Sequence, residues 1–217
     1  MLTIALGSSK GGVGKSTLAT NIAVELHDAG IPVTLVDAEE GSPTASLLEE
    51  HVPDIDTRAV SSQAETARIV DELRAAGRVV IIDSPGKTGR QLTAACMLAD
   101  VFLLAMKVCE RDLLQSGAAL AVIRSCQLQH EGRPQAFIVY NETARDDAEA
   151  SSFTRQLKPL GIPVAAARIR PQRTVRRNTT IMRGPLRTSG AASDIRSLVE
   201  EVIVPRLVAA TQGGVNG

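Results

Sequence analysis

The sequence predicts a single α/β domain, and three observations carry that reading. At 217 residues the chain suits one domain, 1–217, with a sizeable core, and no Pro/Ser-rich linker or low-complexity run divides it. Short β-branched runs alternate with helix-patterned ones. Two of those runs, Val33-Thr34-Leu35-Val36-Asp37 and Val79-Val80-Ile81-Ile82-Asp83, end in a carboxylate. Open α/β sheets place their chemistry at that C-terminal edge.

The first apolar run, Leu2 to Leu6, leads through Gly7-Ser8-Ser9-Lys10-Gly11-Gly12-Val13-Gly14-Lys15-Ser16-Thr17 into a helix-patterned run from Leu18 to Leu26. Strand, glycine-rich turn and helix N-terminus in that order form a phosphate cradle. Glycines let backbone N–H groups turn inward toward an anion, and the helix dipole favours negative charge at its start. Lys15 can reach β- and γ-phosphates, and the Ser16 hydroxyl can ligate Mg²⁺, so the segment Gly11, Gly12, Val13, Gly14, Lys15, Ser16 and Thr17 reads as a nucleoside triphosphate site. Two details narrow it. Ser9 stands where the usual pattern has its first glycine, and an additional lysine, Lys10, follows. The form Lys-Gly-Gly-x-Gly-Lys-Ser/Thr resembles the deviant Walker A motif of the ParA/MinD family of ATPases. The resemblance implies that Lys10 reaches across a dimer interface to phosphates bound by the partner subunit.

Gly30-Ile31-Pro32 ends the first helix, and the next strand delivers Asp37. Asp37-Ala38-Glu39 resembles the family's Asp-x-Asp motif, whose second acid is linked to positioning the attacking water. Here that acid is Glu39, and its extra methylene moves the carboxylate by roughly 1.5 Å at full extension. A second reading stays open, in which Glu39 and Glu40 are solvated loop acids beside a helix start at Ser42-Pro43. Residues 54–60 are weakly strand-like, and Gln63 to Ala76 is an amphipathic helix with Ile69, Val70 and Leu73 on one side, closed by Gly77. Val79 to Asp83 followed by Ser84-Pro85-Gly86 is a Walker B arrangement, in which Asp83, like Asp37, meets Mg²⁺ through water and the glycine senses the γ-phosphate through its backbone.

Asp100 to Met106 is the next core strand, and 112–126 the next helix, with an apolar stripe of Leu113, Leu114, Ala118, Ala121, Val122 and Ile123. The loop between them, Lys107 to Arg111, lacks the prolines that partition relatives use there in self-association. Strand 136–140 ends in Asn141, which many relatives place against the adenine amino group; a plain turn residue is the other reading. A last strand is expected over 163–167. From Arg168 to Arg187 there are seven arginines, at 168, 170, 173, 176, 177, 183 and 187, and no acid. In a helix over 172–182, Arg173, Arg176 and Arg177 share one face, suited to duplex DNA phosphates read without sequence specificity; a solvated or subunit-contacting helix is the alternative. The C-terminal helix, 191 to about 207, carries Ile195, Leu198, Val199, Val202 and Ile203 on one stripe and Asp194, Arg196, Glu200 and Glu201 on its other face, and the last few residues of the chain are expected to be disordered.

Composition bounds the rest. Lysine plus arginine equals aspartate plus glutamate, 24 each, so global charge neither proposes nor excludes nucleic acid. Phe102, Phe137, Phe153 and Tyr140 are the only aromatics, too few for single-strand stacking platforms. Cys96, Cys109 and Cys126 lack metal-ligand spacing and read as reduced structural thiols, which also argues against an iron–sulfur reductase. No signal segment and no bilayer-length apolar run is seen, so a cytoplasmic, nucleoid-associated location is expected.

The resemblance implies a P-loop NTPase three-layer sandwich, with a mostly parallel central sheet and helices on both faces. It is most similar in size and layout to the small partition ATPases of plasmid segregation. The implied activity is slow, partner-stimulated ATP hydrolysis with Mg²⁺. An ATP-bound homodimer would hold non-specific duplex DNA and answer to a small centromere-binding or cargo-adaptor protein, without a membrane. A family member that positions a chemosensory cluster or microcompartment shares every motif named here. A metabolic P-loop enzyme would need neither Lys10 nor the arginine face.

Overall fold

A period of two runs through every central strand and sorts its side chains onto two faces. In the computed structural model, which describes all residues except 9, 40, 42, 87, 88, 145, 146, 172–180, 182–186 and 214–217, Ile4 and Leu6 face one core while Ala5 faces the other. Val79 and Ile81 likewise oppose Val80 and Ile82, and Val101, Leu103 and Ala105 oppose Phe102, Leu104 and Met106. Strands apolar on both faces must be covered on both, which is why helices flank the sheet on each side.

The strands are β1 (Thr3–Ser8), β2 (Val33–Asp37), β3 (Asp56–Ala59), β4 (Val79–Asp83), β5 (Val101–Met106) and β6 (Gln135–Tyr140). They form one sheet in the order β3-β2-β4-β1-β5-β6, and every pair is parallel. The helices are α1 (Lys15–Asp28), α2 (Pro43–His51), α3 (Gln63–Ala75), α4 (Arg90–Leu98), α5 (Glu110–Gln129), α6 (Ala148–Leu157), α7 (Gly190–Leu198) and α8 (Val204–Gly213), with a π-helical turn, Val199–Ile203, joining the last two. One core lies under α1 and α7, and the other contains residues of α3 to α6. Pairing Leu6 and Asp37 each with Asp83 brings the C-terminal ends of β1, β2 and β4 level. That edge carries the glycine turn and both strand-end acids.

The structure corrects the sequence reading at three places and adds two helices. Residues 163–167 make a bridge rather than a strand. Ile138 N donates to Pro163 O and Ala165 N to Ile138 O, but the next two amides, of Ala166 and Ala167, donate to the Glu201 carboxylate at 2.8 and 2.9 Å. The chain is drawn off the β6 edge and rejoins it at Ile169. On α5 the buried stripe is Asp112, Ser116, Ala119, Leu120, Ile123 and Cys126, whereas Leu114 is 82% exposed and Ala118 and Ala121 face solvent. Asp112 sets this rotation: it takes the Lys107 N–H at 2.9 Å and the Lys10 ammonium, so its side of the helix turns inward. Asp194 is buried rather than on the polar face of its helix, because it forms a two-pronged pair with Arg170. Helices α4 and α6 had no sequence signal strong enough to place them. Gly89 caps α4 without a side-chain hydrogen bond, and α6 is marked only by Asp147 accepting the Ala150 N–H.

The stripe of the C-terminal helix is as read, with Ile195, Leu198, Val202 and Ile203 all buried. Cys96 and Cys126 are buried free thiols, and burial, with Cys126 beside it, pushes the Cys96 thiol up. The predicted helix over 172–182, with Arg173, Arg176 and Arg177, lies outside the described residues except at Ile181, as do Arg183 and residues 214–217, while the C-terminal helix runs on to Gly213.

Candidate nucleotide site

The glycine turn closes because Gly12 and Gly14 adopt left-handed conformations, φ +76° and +86°. A side chain would be strained at either. Gly14 is the N-cap of α1, with no side-chain cap, and its carbonyl accepts the Leu18 N–H. The first amides of α1 are therefore left for a ligand. A cleft of about 270 Å³ sits on the turn, lined by Ser8, Lys10 to Thr17, Glu39 and Gly86. Gly86 suits this close approach: a Cβ there would stand 3.1 Å from Gly11 Cα and 3.2 Å from the Lys10 carbonyl, tight enough that the loop would have to give by a few tenths of an ångström.

Lys15 is 5% exposed and paired with Asp83, its Nζ also 3.3 Å from Ser16 Oγ and 4.0 Å from Glu39 Oε2. The other Asp83 oxygen accepts from Thr44 Oγ1 at 2.8 Å. Asp37 is wholly buried and serves the backbone: Oδ1 accepts the Glu39 N–H at 3.0 Å, and Oδ2 the Thr44 and Ala45 N–H groups at 2.8 and 3.0 Å. Burial pushes its carboxyl up, the three amides pull against that, and the neighbouring Asp83 charge adds to the rise. Asp37 thus anchors the start of α2 beside the cleft, and Thr44 ties that anchor to Asp83. Sequence reading missed Thr44, whose only signal was its place at the Ser42-Pro43 helix start.

The oxygen donors fit Mg²⁺, a hard cation that favours few protein ligands and retained waters. Ser16 lines the cleft, and Asp37 Oδ1, with one amide donor among the described residues, keeps capacity for a water. Among the described residues no cluster of three His, Cys, Asp or Glu side chains forms a metal cage, so such an ion would rest largely on the ligand's own oxygens.

Lys10 lies on the rim, 29% exposed, paired with the buried Asp112 at the start of α5. Burial pushes the Asp112 carboxyl up, but Lys10, the Lys107 amide and the Cys109 thiol outweigh it and hold it below the usual carboxylate range. Asn141 is buried at the end of β6, its Nδ2 donating to Val13 O at 2.7 Å. The Arg168 guanidinium donates to Asp147 O and Ser151 Oγ, Arg170 pairs with Asp194, and Arg187 pairs with Asp28. The arginine-rich stretch looks acid-free only along the chain; in space Asp194 and Asp28 meet it.

A parallel sheet with a phosphate-binding turn after β1 and acids after β2 and β4 defines a P-loop nucleotide-binding protein. The family model for the CobQ/CobB/MinD/ParA nucleotide binding domain matches residues 4–186, so the chain belongs to that family and is a ParA/MinD-type ATPase. It is 26% identical over 210 residues to the maintenance of carboxysome distribution protein A of Halothiobacillus neapolitanus, covering 93% of this chain and 96% of that protein. It is 32% identical over 126 residues to the protein ParA of Rhizobium radiobacter, covering 57% and 56%. Among solved structures it is similar to the Pyrococcus furiosus cell division ATPase MinD, with a TM-score of 0.68 at 18% identity over 93% of this chain and 98% of that one. It is also similar to a Borrelia burgdorferi plasmid partition protein bound to AMPPNP, with a TM-score of 0.61 at 14% identity over 93% and 99%. At those identities the two structures establish the fold alone.

Proposed function

We propose that this ATPase couples ATP and Mg²⁺ to closure of two copies of the chain, holds duplex DNA without sequence specificity in that state, and segregates a plasmid or chromosome with a small centromere-binding partner. The observation that carries the reading is Lys10. It is a second lysine on the rim of a phosphate cleft that Lys15 already serves, and it pairs with Asp112 of α5 rather than with the strand-end acid Asp83. A lysine so placed suits phosphates presented by another subunit.

Within one subunit, the amides of Gly11 to Thr17 and the Lys15 ammonium hold the triphosphate, and Ser16, with Asp83 and Asp37 acting through water, would hold Mg²⁺. Bound Mg²⁺ would neutralise phosphate charge. Glu39, at the mouth of the cleft and partly exposed, orients the attacking water. DNA contact falls to Arg173, Arg176, Arg177 and Arg183, with Arg168 flanking them; Arg170 supports the segment through Asp194. A second reading keeps the mechanism and changes the cargo: the relative from Halothiobacillus, named for carboxysome distribution, matches nearly the full length of both chains.

ATP turnover with duplex DNA and a candidate adaptor, alone and together, tests the proposal. Stimulation needing both is expected; turnover that answers to a metabolite and ignores DNA would make the chain a metabolic enzyme. Changing Arg176 and Arg177 together to alanine should weaken DNA binding and flatten its salt dependence by roughly two phosphate contacts. Unaltered affinity and slope would remove the DNA assignment. Capture of the adaptor in ATP with DNA present separates the two cargoes.

A further inference from the structure

We propose that Asn141 is a positioning residue of the phosphate loop, holding the Val13 carbonyl and through it the grip on a triphosphate, whatever base that triphosphate carries. This rests on the loop being the nucleotide site and adds a residue 128 positions away to its machinery.

The amide is fixed from behind. Asn141 N donates to Met106 O at 2.8 Å, its carbonyl accepts from Thr143 Oγ1 at 3.1 Å, and a β-bridge joins it to Ile169. A residue so pinned to β5 and to the returning chain cannot follow the loop; the loop must follow it. Its Nδ2 donates to Val13 O at 2.7 Å in a buried setting, where an unpaired carbonyl would be costly. The Val13–Gly14 peptide is planar and trans, so pinning its C=O toward Asn141 turns the Gly14 N–H to the opposite side, away from β6.

Gly14 shows that the fit is close. A Cβ there would collide with Asn141 Nδ2, so the glycine is demanded both by its φ of +86° and by the amide packed against it. Gly14 and its neighbour Lys15 line the cleft. With one Nδ2 hydrogen on Val13 O, the Asn141 amide acts on the part of the loop that meets phosphates.

The test compares the full-length chain with Asn141→Leu, which keeps the branched shape but has no donor, and with Asn141→Ala. Affinities are measured for MgATP, MgGTP and Mg-tripolyphosphate, and amide hydrogen exchange is followed over residues 10–17 in nucleotide-free protein. The clamp predicts that both variants weaken all three ligands by the same factor, roughly tenfold for one buried hydrogen bond. It also predicts faster exchange in 10–17, with β1 and β5 unchanged. A loss confined to ATP would assign the amide to the base, and unchanged affinities or unchanged loop exchange would equally overturn the clamp. If the wild-type chain bound neither ATP nor tripolyphosphate, the nucleotide site would fall, while exchange would still decide whether Asn141 holds the loop.

Discussion

The two lysines of one loop live in different worlds. Lys15 begins α1 and is 5% exposed against Asp83 at the centre of the sheet edge; Lys10 is 29% exposed against Asp112 on a neighbouring helix. Both are paired with buried acids, so pairing does not separate them. Position does. The inner lysine is enclosed by elements of its own subunit and by Glu39, whereas the outer one keeps an open side. The same motif therefore supplies one enclosed cation and one at the open rim of the cleft.

The largest effect should come from the inner end. Lys15→Ala should reduce MgATP binding below detection by calorimetry; retained micromolar binding would show that backbone amides alone make the site. At the cleft mouth, Glu39→Ala should leave ATP affinity within a fewfold and lower turnover by roughly a hundredfold or more, the scale of losing a positioned acid–base group. An unchanged rate would return Glu39 to a solvated loop acid. The smallest effect lies at the outer end. Asp112→Asn should cost about 1 kcal/mol of stability in urea at pH 7, since the Lys10 half of the pair is partly screened by solvent.

That last cost has a predictable pH dependence. The folded Asp112 carboxyl lies below its unfolded value, so its contribution is fully present above the ordinary aspartate range near pH 4 and is lost as pH falls through the depressed folded value. The wild type and Asp112→Asn should therefore converge in stability under acid. A difference that persisted below both values would mean that packing, not charge, holds Asp112.

Most of the site was legible in the sequence because it depends on backbone conformation, which local sequence declares. Gly12 and Gly14 mark left-handed turns, β-branched runs mark buried parallel strands, and acids at strand ends mark the functional edge. What stayed hidden depends on contacts between distant residues. Glu201 diverts 163–167 from the sheet, Asp112 turns α5 so that Leu114 faces out, and Asp194 receives Arg170. In each case a side chain meets a partner distant in the sequence, and no spacing rule reports it. Thr44 and the Val13–Asn141 link were hidden for the same reason.

The central claim is that Lys10 turns ATP into a signal for two copies to close. Sedimentation of the wild type and Lys10→Ala with MgATP, with bound nucleotide measured in the same samples, tests it most directly. The wild type should pass from one copy to two on adding ATP, while Lys10→Ala should bind nucleotide equally and remain a single copy. A Lys10→Ala protein that bound ATP and paired as readily as the wild type would contradict the account.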